Sequence, residues 1–156
     1  NLHAFNGMEA VAAVAGQPAA IVRTADGGQT WQEVFRHPDS LAFLDGFAFW
    51  NAREGVIFGD PLADGRLLLL FTQDGGRSWQ QPADSMRPLF APGEAAFAAS
   101  GTAMQCAGDS TLALVSGGAV SRFWFSTNRG RTWDFRAGNK PNPALYGQHA
   151  NFPDTL

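Results

Sequence analysis

The chain has 156 residues, 45% of them hydrophobic and 16% charged, so it is expected to form a domain with a substantial core instead of a disordered chain. Its net charge of −3, without any long basic run, argues against nucleic acid as a partner. No stretch of about eighteen apolar residues occurs, so no transmembrane segment is predicted.

Short apolar runs bounded by turn residues predict β-strands along the whole chain. A Pro-containing loop separates the second and third groups of strands, at 82–93. The Ala-rich segment 95–99 is predicted as part of a strand region, with a helical turn as the alternative. The predicted strands, in chain order, are 2–5, 8–15, 19–24, 30–36, 46–50, 55–59, 66–72, 79–81, 95–99 with 102–106, 112–115, 121–126 and 132–136.

One short pattern occurs three times, each time after the third predicted strand of a group. It has Ser or Thr, then Asp or Asn two residues later, Gly two residues further, and finally Ser or Thr followed by Trp. The copies lie at 24–31, 72–79 and 126–133, so they recur about every 50 residues. Repetition at this period indicates a repeat architecture.

Each copy predicts a hairpin turn. Gly adopts positive φ without steric cost, the Asp or Asn side chain accepts bonds from backbone N–H groups, and Trp opens the next strand with a large apolar surface. A calcium loop needs about six to eight oxygen ligands, so turns with one central Asp or Asn are expected to be structural and metal-free. The residues expected to build these turns are Asp26, Gly28, Trp31, Asp74, Gly76, Trp79, Asn128, Gly130 and Trp133.

The repeated pattern closely resembles the Asp-box, or BNR repeat. This repeat occurs in β-propellers such as sialidases, sortilin-type receptors, some xyloglucan-cleaving glycosidases and photosystem II stability/assembly factors. Asn128 departs from the pattern, because it keeps the acceptor oxygen but lacks the charge. The resemblance implies an all-β propeller built from four-stranded antiparallel blades.

On this interpretation, residues 1–156 form a single partial β-propeller domain with about three blades. The blades cover about 1–38, 43–82 and 94–137, and residues 138–156 are a tail or the start of a further blade. Propellers usually have about four to eight blades, because closing the ring protects the strand edges. We therefore expect a fragment of a longer protein; the alternatives are assembly of several copies or residues missing from the sequence.

Two segments, 47–66 and 93–102, go beyond the generic repeat. They look like bacterial members of the photosystem II stability/assembly factor-like propellers, over roughly residues 8–136. This resemblance implies a seven-bladed propeller that is exported from the cytoplasm, binds a partner protein and assists assembly of a membrane complex. On that ground we expect a periplasmic or secreted location, although no signal peptide is visible in the chain.

Signatures of common catalytic and cofactor sites are missing from the sequence. The dinucleotide-binding glycine pattern, the P-loop and the Gly-x-Ser-x-Gly elbow do not occur, so no cofactor is expected. His3, His37 and His149 lack metal-ligand spacing, so no metal is expected either. Cys106 lies among apolar residues and is predicted to be a small buried hydrophobe.

A glycosidase is the enzymatic alternative, because Asp-boxes occur in such enzymes. Sialidase chemistry needs an arginine cluster, a tyrosine nucleophile and acidic residues, and the only tyrosine, Tyr146, lies in a Pro-rich tail. Hydrolysis by a carboxylate pair stays open, because the sequence does not give the separation of acids in loops. The candidate carboxylates are Asp45, Glu54, Asp60, Asp64 and Glu94.

The loops of the second blade are the best candidates for a binding surface, since loops on a rigid scaffold commonly carry function. Arg53 and Glu54 lie in the turn before the second strand, and Asp60 and Arg66 flank the following loop. Either arginine can hold a carboxylate through two hydrogen bonds. The alternative is that Arg66 pairs with Asp60 or Asp64 to fix its own loop.

These observations favour a non-catalytic binding or assembly module that recognises a protein partner through blade-end loops. Carbohydrate stays open as a ligand. The alternative is a glycoside hydrolase or a carbohydrate-binding Asp-box propeller, sialidase-like or otherwise. A third possibility is a purely structural part of a larger protein.

Overall fold

The computed structural model describes residues 1–14, 16, 18–98 and 101–138. The described part is built from β-strands and one short 3₁₀ helix, at Asp84–Met86. The strands are β1 (Leu2–Ala4), β2 (Ala10–Ala13), β3 (Ala20–Thr24), β4 (Gln32–Arg36), β5 (Leu44–Phe49), β6 (Gly55–Pro61), β7 (Leu67–Thr72), β8 (Glu94–Ala95), β9 (Met104–Ala107), β10 (Thr111–Gly118), β11 (Arg122–Ser126) and β12 (Asp134–Ala137).

The strands form three antiparallel sheets that follow one another along the chain. The first sheet has the order β1-β2-β3-β4 and the second the order β5-β6-β7. In the third, β10 pairs with both β8 and β9 on one side and with β11, then β12, on the other. The all-β prediction is confirmed, and the antiparallel neighbours are joined by the short turns that the glycine-rich segments provide.

Two predicted strands differ from the observed ones. The fourth strand of the second group, at 79–81, is reduced to one bridge in which Phe71 and Gln80 exchange N–H···O bonds of 2.9 and 3.0 Å. Pro82 follows this bridge and has no N–H to continue a ladder. The segment predicted at 95–99 forms only the two-residue strand β8, and no helix occurs in its described residues.

The three repeated turns close with matching hydrogen bonds. In the second copy, the Thr72 hydroxyl donates to Asp74 Oδ1 at 2.9 Å and accepts the Gly76 N–H at 2.9 Å. The Asp74 carboxylate accepts from the Ser78 N–H at 2.9 Å and from the Ser78 hydroxyl at 2.6 Å. The first copy repeats this pattern. The third does so as well, except that Asn128 replaces the acid and its Nδ2 donates to the Thr132 hydroxyl at 2.8 Å. The polar side chains of these turns are therefore used to build them.

Two cores lie on opposite faces of the second sheet. Leu68 and Leu70 of β7 face the core shared with the first sheet, whereas Leu67 and Leu69 face the core shared with the third. Because both faces of β7 are buried, its sequence is a continuous apolar run and not an alternating one. The first core also contains Val11, Ile21, Phe47, Ile57 and Trp79, and the second contains Val56, Phe58, Met104, Leu112, Leu114 and Trp124.

The repeated turns of the second and third sheets contact the preceding sheet through glycine. A Cβ on Gly76, whose φ is +76°, would lie 2.6 Å from Cγ1 of Val11. A Cβ on Gly130, with φ +77°, would lie 2.8 Å from Cζ of Phe71. In the first sheet, a Cβ on Gly28 would meet only atoms of its own turn. Adjacent sheets therefore approach closely at these glycines, which no larger residue could replace without displacing a neighbour.

The tryptophans that end the repeated pattern differ in burial. The Trp79 side chain is 5% exposed, with its ring centroid 5.7 Å from that of Phe47 and 6.1 Å from that of Phe49. Its Nε1 donates to the Gly76 carbonyl at 3.2 Å. Trp31 is 40% exposed. Equivalent sequence positions therefore contribute differently to the core.

We expect Trp79→Ala to lower the free energy of unfolding by about 3–5 kcal/mol, because it removes a buried ring and leaves a cavity. Trp31→Ala is the matched control and should cost clearly less, since its ring already faces solvent in part. Urea unfolding followed by circular dichroism measures both values. Equal and small losses in the two variants would contradict the core described above.

Candidate functional site

The four residues predicted to bind a partner lie at opposite ends of the second sheet. Arg53 and Glu54 immediately precede β6, whereas Asp60 lies near its far end and Arg66 precedes β7. A seven-residue strand such as β6 spans roughly 20 Å. The structure thus brings Arg53 near Glu54 and Asp60 near the loop of Arg66, but it keeps the two pairs apart.

The second sheet has a turn end and a loop end. The turn end comprises residues 50–54 and 73–79, which are linked by an N–H···O bond of 2.9 Å from Gly75 to Arg53. The loop end comprises residues 37–45, 60–66 and 82–91. An N–H···O bond of 2.9 Å from Phe90 to Gly65 links two of its segments.

At the turn end, Glu54 is held in a hydrogen-bonded turn. Asn51 Oδ1 accepts the N–H groups of Arg53 and Glu54, both at 2.9 Å, and Asn51 Nδ2 donates to Glu54 Oε2 at 2.9 Å. Arg129 of the third sheet donates to Glu54 Oε1 at 2.5 Å. The Asn51 hydrogen bond and the Arg129 charge hold the pKa of Glu54 below its usual value, against the opposing effect of burial. Glu54 is therefore an ionised structural anchor.

Arg53 differs from Glu54 because its side chain is exposed and has no hydrogen bond or ion pair with the described residues. It lines an open cleft of about 490 Å³ together with Asn51, Glu54 and Gln73. A guanidinium in this position can bind a carboxylate through two parallel hydrogen bonds. Arg53 is thus the cation at the turn end that is available to a ligand.

The Asn-x-x-Glu turn occurs in the first sheet as well. Asn6 Oδ1 accepts two backbone N–H groups at 2.8 and 3.0 Å, and Glu9 forms an ion pair at 3.2 Å with Arg77 of the next sheet. Glu54 likewise pairs with Arg129 of the sheet that follows it. Two consecutive sheets are therefore joined by the same kind of ion pair. The sequence signal, Asn-x-x-Glu repeated after about 45 residues, was available but was not recognised.

At the loop end, it is Arg87, and not Arg66, that pairs with the acids of the loop. Its guanidinium is buried and donates to the carbonyls of Leu67 and Arg66, both at 3.0 Å. It also forms ion pairs with Asp84 at 2.9 Å and Asp64 at 3.2 Å. The Arg66 guanidinium donates instead to the Arg87 carbonyl at 3.2 Å, and among the described residues it forms no ion pair with Asp60 or Asp64. The expected pairing of Arg66 with Asp60 or Asp64 is therefore not formed.

Asp45 and Asp60 are neighbouring acids at the loop end without a cationic partner. The pairing of β5 with β6 shifts register between Leu44 and Gly46, so Asp45 is the extra residue of a bulge. Asp45 is only 3% exposed and its Oδ2 is buried without a hydrogen-bond partner. Burial, with the charge of Asp60 as a smaller cause, raises the pKa of Asp45 to about 7. Burial also raises the pKa of Asp60.

Glu94 is a structural residue. Its carboxylate accepts hydrogen bonds from the hydroxyl of Ser116, from Nε1 of Trp124 at 3.2 Å and from the N–H of Ala91 at 2.8 Å. Arg122 adds an ion pair at 3.2 Å. With Glu54 and Asp64 also engaged, Asp45 and Asp60 are the two candidate carboxylates that lack such partners.

The remaining candidates do not form a second site in the described ranges. His3 stacks on a phenylalanine, and buried His37 accepts the N–H of Asp39 at 3.1 Å. Cys106 is half-buried rather than fully buried, and burial raises the pKa of its thiol to about 12. Tyr146 and His149 lie outside the described residues.

Across the described residues, no three or more His, Cys, Asp or Glu side chains are arranged to hold a metal ion. No helix in that part of the chain has the length and hydropathy needed to cross a membrane.

The chain was compared with protein-family models, curated proteins and solved structures. No protein-family model matches the chain, and no curated protein matches it. Solved structures do match, among them one described as YCF48 bound to D1 peptide, with a TM-score of 0.58 and 22% identity over 86% of this chain. The chain is a partial β-propeller. It spans about 38% of the YCF48 chain, and its successive antiparallel sheets are propeller blades.

The raised pKa of Asp45 predicts that Asp45→Asn stabilises the protein at neutral and alkaline pH. Between pH 4 and about 7 the folded state binds the Asp45 proton more tightly than the unfolded state, so this residue lowers stability as the pH rises. The gain from Asp45→Asn should be small near pH 4, increase up to about pH 7 and then level off. Urea unfolding of both proteins at several pH values measures it, and a gain independent of pH would contradict the assignment.

Proposed function

We propose that this chain belongs to a protein-binding β-propeller of the Asp-box type, which recognises a partner protein through loops at the ends of its blades. The observation that carries the proposal is the fold shared with YCF48, whose structure contains a bound D1 peptide. Blade-end loops suit this role because the sheets hold them rigidly while their side chains stay accessible.

The matching hydrogen bonds of the three repeated turns support the Asp-box assignment. All three use the same hydroxyl, acceptor and glycine positions, although the third has Asn128. The match to YCF48 supports the resemblance to photosystem II stability/assembly factor-like propellers. The proposal includes a periplasmic or secreted location, which follows from that resemblance.

The state of the candidate carboxylates supports binding over glycoside hydrolysis. Glu54, Asp64 and Glu94 are engaged by arginines. Asp45 and Asp60 are the pair left for acid–base chemistry, but Asp45 is only 3% exposed. A general acid must reach the proton acceptor on its substrate within hydrogen-bond distance, directly or through one water. Among the described residues, the geometry therefore favours a non-catalytic module.

Binding of synthetic peptides tests the proposal directly. The purified protein is screened by fluorescence anisotropy against a peptide array that includes D1 segments. Arg53→Ala tests the turn end, and Asp60→Asn and Arg66→Ala test the loop end. We expect the variants at one of the two ends to weaken binding roughly tenfold or more, because a charged contact is lost.

Arg131→Ala is the matched control, since Arg131 is exposed and its side chain has no bond with the described residues. This variant should bind as the unaltered protein does. Unchanged binding in all variants would reject the proposed residues. Release of reducing sugar from a polysaccharide panel, lost on Asp60→Asn, would replace the proposal with the glycosidase alternative.

A further inference from the structure

The loop end of the second blade has more acidic than basic side chains available to a ligand. Arg87 is buried and engaged by Asp64, and the Arg66 guanidinium donates to a backbone carbonyl. Neither arginine forms an ion pair with Asp45 or Asp60 in the described part of the chain. The two acids therefore lie at an end of the blade where both arginines already bond to other groups of the protein.

The strands packed against β5 supply no cation to this pair either. The facing strand β6 contributes Asp60 itself, and β2 and β9 contain no charged residue. On β1, the titratable group is His3, whose ring stacks on Phe49 at 4.2 Å and whose pKa is lowered by burial. The buried Oδ2 of Asp45 thus has no hydrogen-bond donor, which is costly for a polar atom shielded from water.

Exposed apolar side chains are also present at the loop end. Leu41, shortly before β5, is 74% exposed, and Leu89, beside Gly65, is 54% exposed. Apolar residues around charged groups are common at protein-binding surfaces, where they exclude water from the polar contact. This surface fits a segment that combines a basic side chain with apolar neighbours.

We propose that Asp60 and Asp45 together bind a lysine or arginine side chain of the partner protein. This inference rests on the proposed protein-binding function and specifies its chemistry. Asp60 is half-buried, whereas Asp45, the bulged residue of β5, is almost fully buried and close enough for the charge of Asp60 to affect its pKa. The incoming cation first pairs with Asp60. A small displacement of the strand end then gives the orphaned Asp45 oxygen the donor that it lacks.

Binding of a cation in this way is coupled to proton release. Near neutral pH about half of the unbound molecules carry a proton on Asp45, because its pKa is about 7. A positive charge beside the pair favours the ionised form and lowers that pKa, so the proton is released when the partner binds. Binding by Asp60 alone would not displace the proton of Asp45 to the same extent.

A charged peptide and an uncharged analogue form the test. The probe is a capped peptide of alternating arginine and leucine, and its control has citrulline in place of arginine. NMR of protein with ¹³C-labelled aspartate carboxyls follows the titration. We expect the arginine peptide to shift the Asp45 and Asp60 resonances and to lower the apparent pKa of Asp45 by about one unit or more. The citrulline peptide should bind roughly tenfold more weakly or worse.

Three variants test whether the two aspartates bind the arginine peptide. Asp45→Asn and Asp60→Asn keep the side-chain shape, and each should weaken binding of the arginine peptide roughly tenfold or more. Asp109→Asn is the matched control, because Asp109 is exposed at the opposite end of the third blade and only its backbone carbonyl is used. It should bind normally. Unchanged tryptophan fluorescence shows that each variant is folded.

Several outcomes would overturn the inference. These are equal binding of the citrulline peptide, shifts confined to Asp74 at the turn end, or a response of Asp45 to calcium chloride but not to the peptide. If array peptides bind through Arg53 while the arginine peptide leaves Asp45 and Asp60 unchanged, the proposed function stands and the cation site fails. If neither assay detects binding, both fail.

Discussion

The close contact between a turn glycine of one blade and a side chain of the preceding blade is the constraint on which the structure depends. Gly76 lies against Val11, and Gly130 lies against Phe71, with no space for a Cβ in either case. Each glycine also needs positive φ, so local turn geometry and long-range packing select the same residue. Because the turns rest on their neighbours in this way, both cores are closed and the ion pairs between blades are within reach.

Much of the fold could be predicted from the sequence, because its determinants are local. The repeated turns and short apolar runs indicated antiparallel sheets, and the strands occur with ends shifted by a few residues. The fourth strand of the second blade was overestimated, because the apolar pattern was given more weight than Pro82, which has no N–H to extend the ladder beyond one bridge. The repeated Asn-x-x-Glu pattern indicated equivalent turns at Glu9 and Glu54, but it did not indicate which arginines of the following blade pair with them, because those partners are distant in the chain.

The site was less predictable than the fold. Arg53, Glu54, Asp60 and Arg66 are close in the sequence, but β6 runs between the two pairs and carries them to opposite ends of the blade. Nothing in the sequence around Arg87 indicated that its side chain is buried, yet it is the arginine that pairs with Asp64. Asp45 was grouped with loop acids, although it is the bulged residue of β5 and is buried by neighbouring strands. Burial of this kind depends on tertiary contacts, which residue spacing does not encode.

The unequal exposure of the repeated tryptophans gives the protein a built-in optical reporter. Trp31 is 40% exposed, whereas Trp79 is 5% exposed. An indole in contact with water emits at longer wavelength than one in an apolar core, so excitation at the red edge favours Trp31 over Trp79. Any surface that came to cover Trp31 would shift this emission toward the blue, while that of buried Trp79 would hardly change. The repeat thus provides both the scaffold and a spectroscopic sensor of what contacts it.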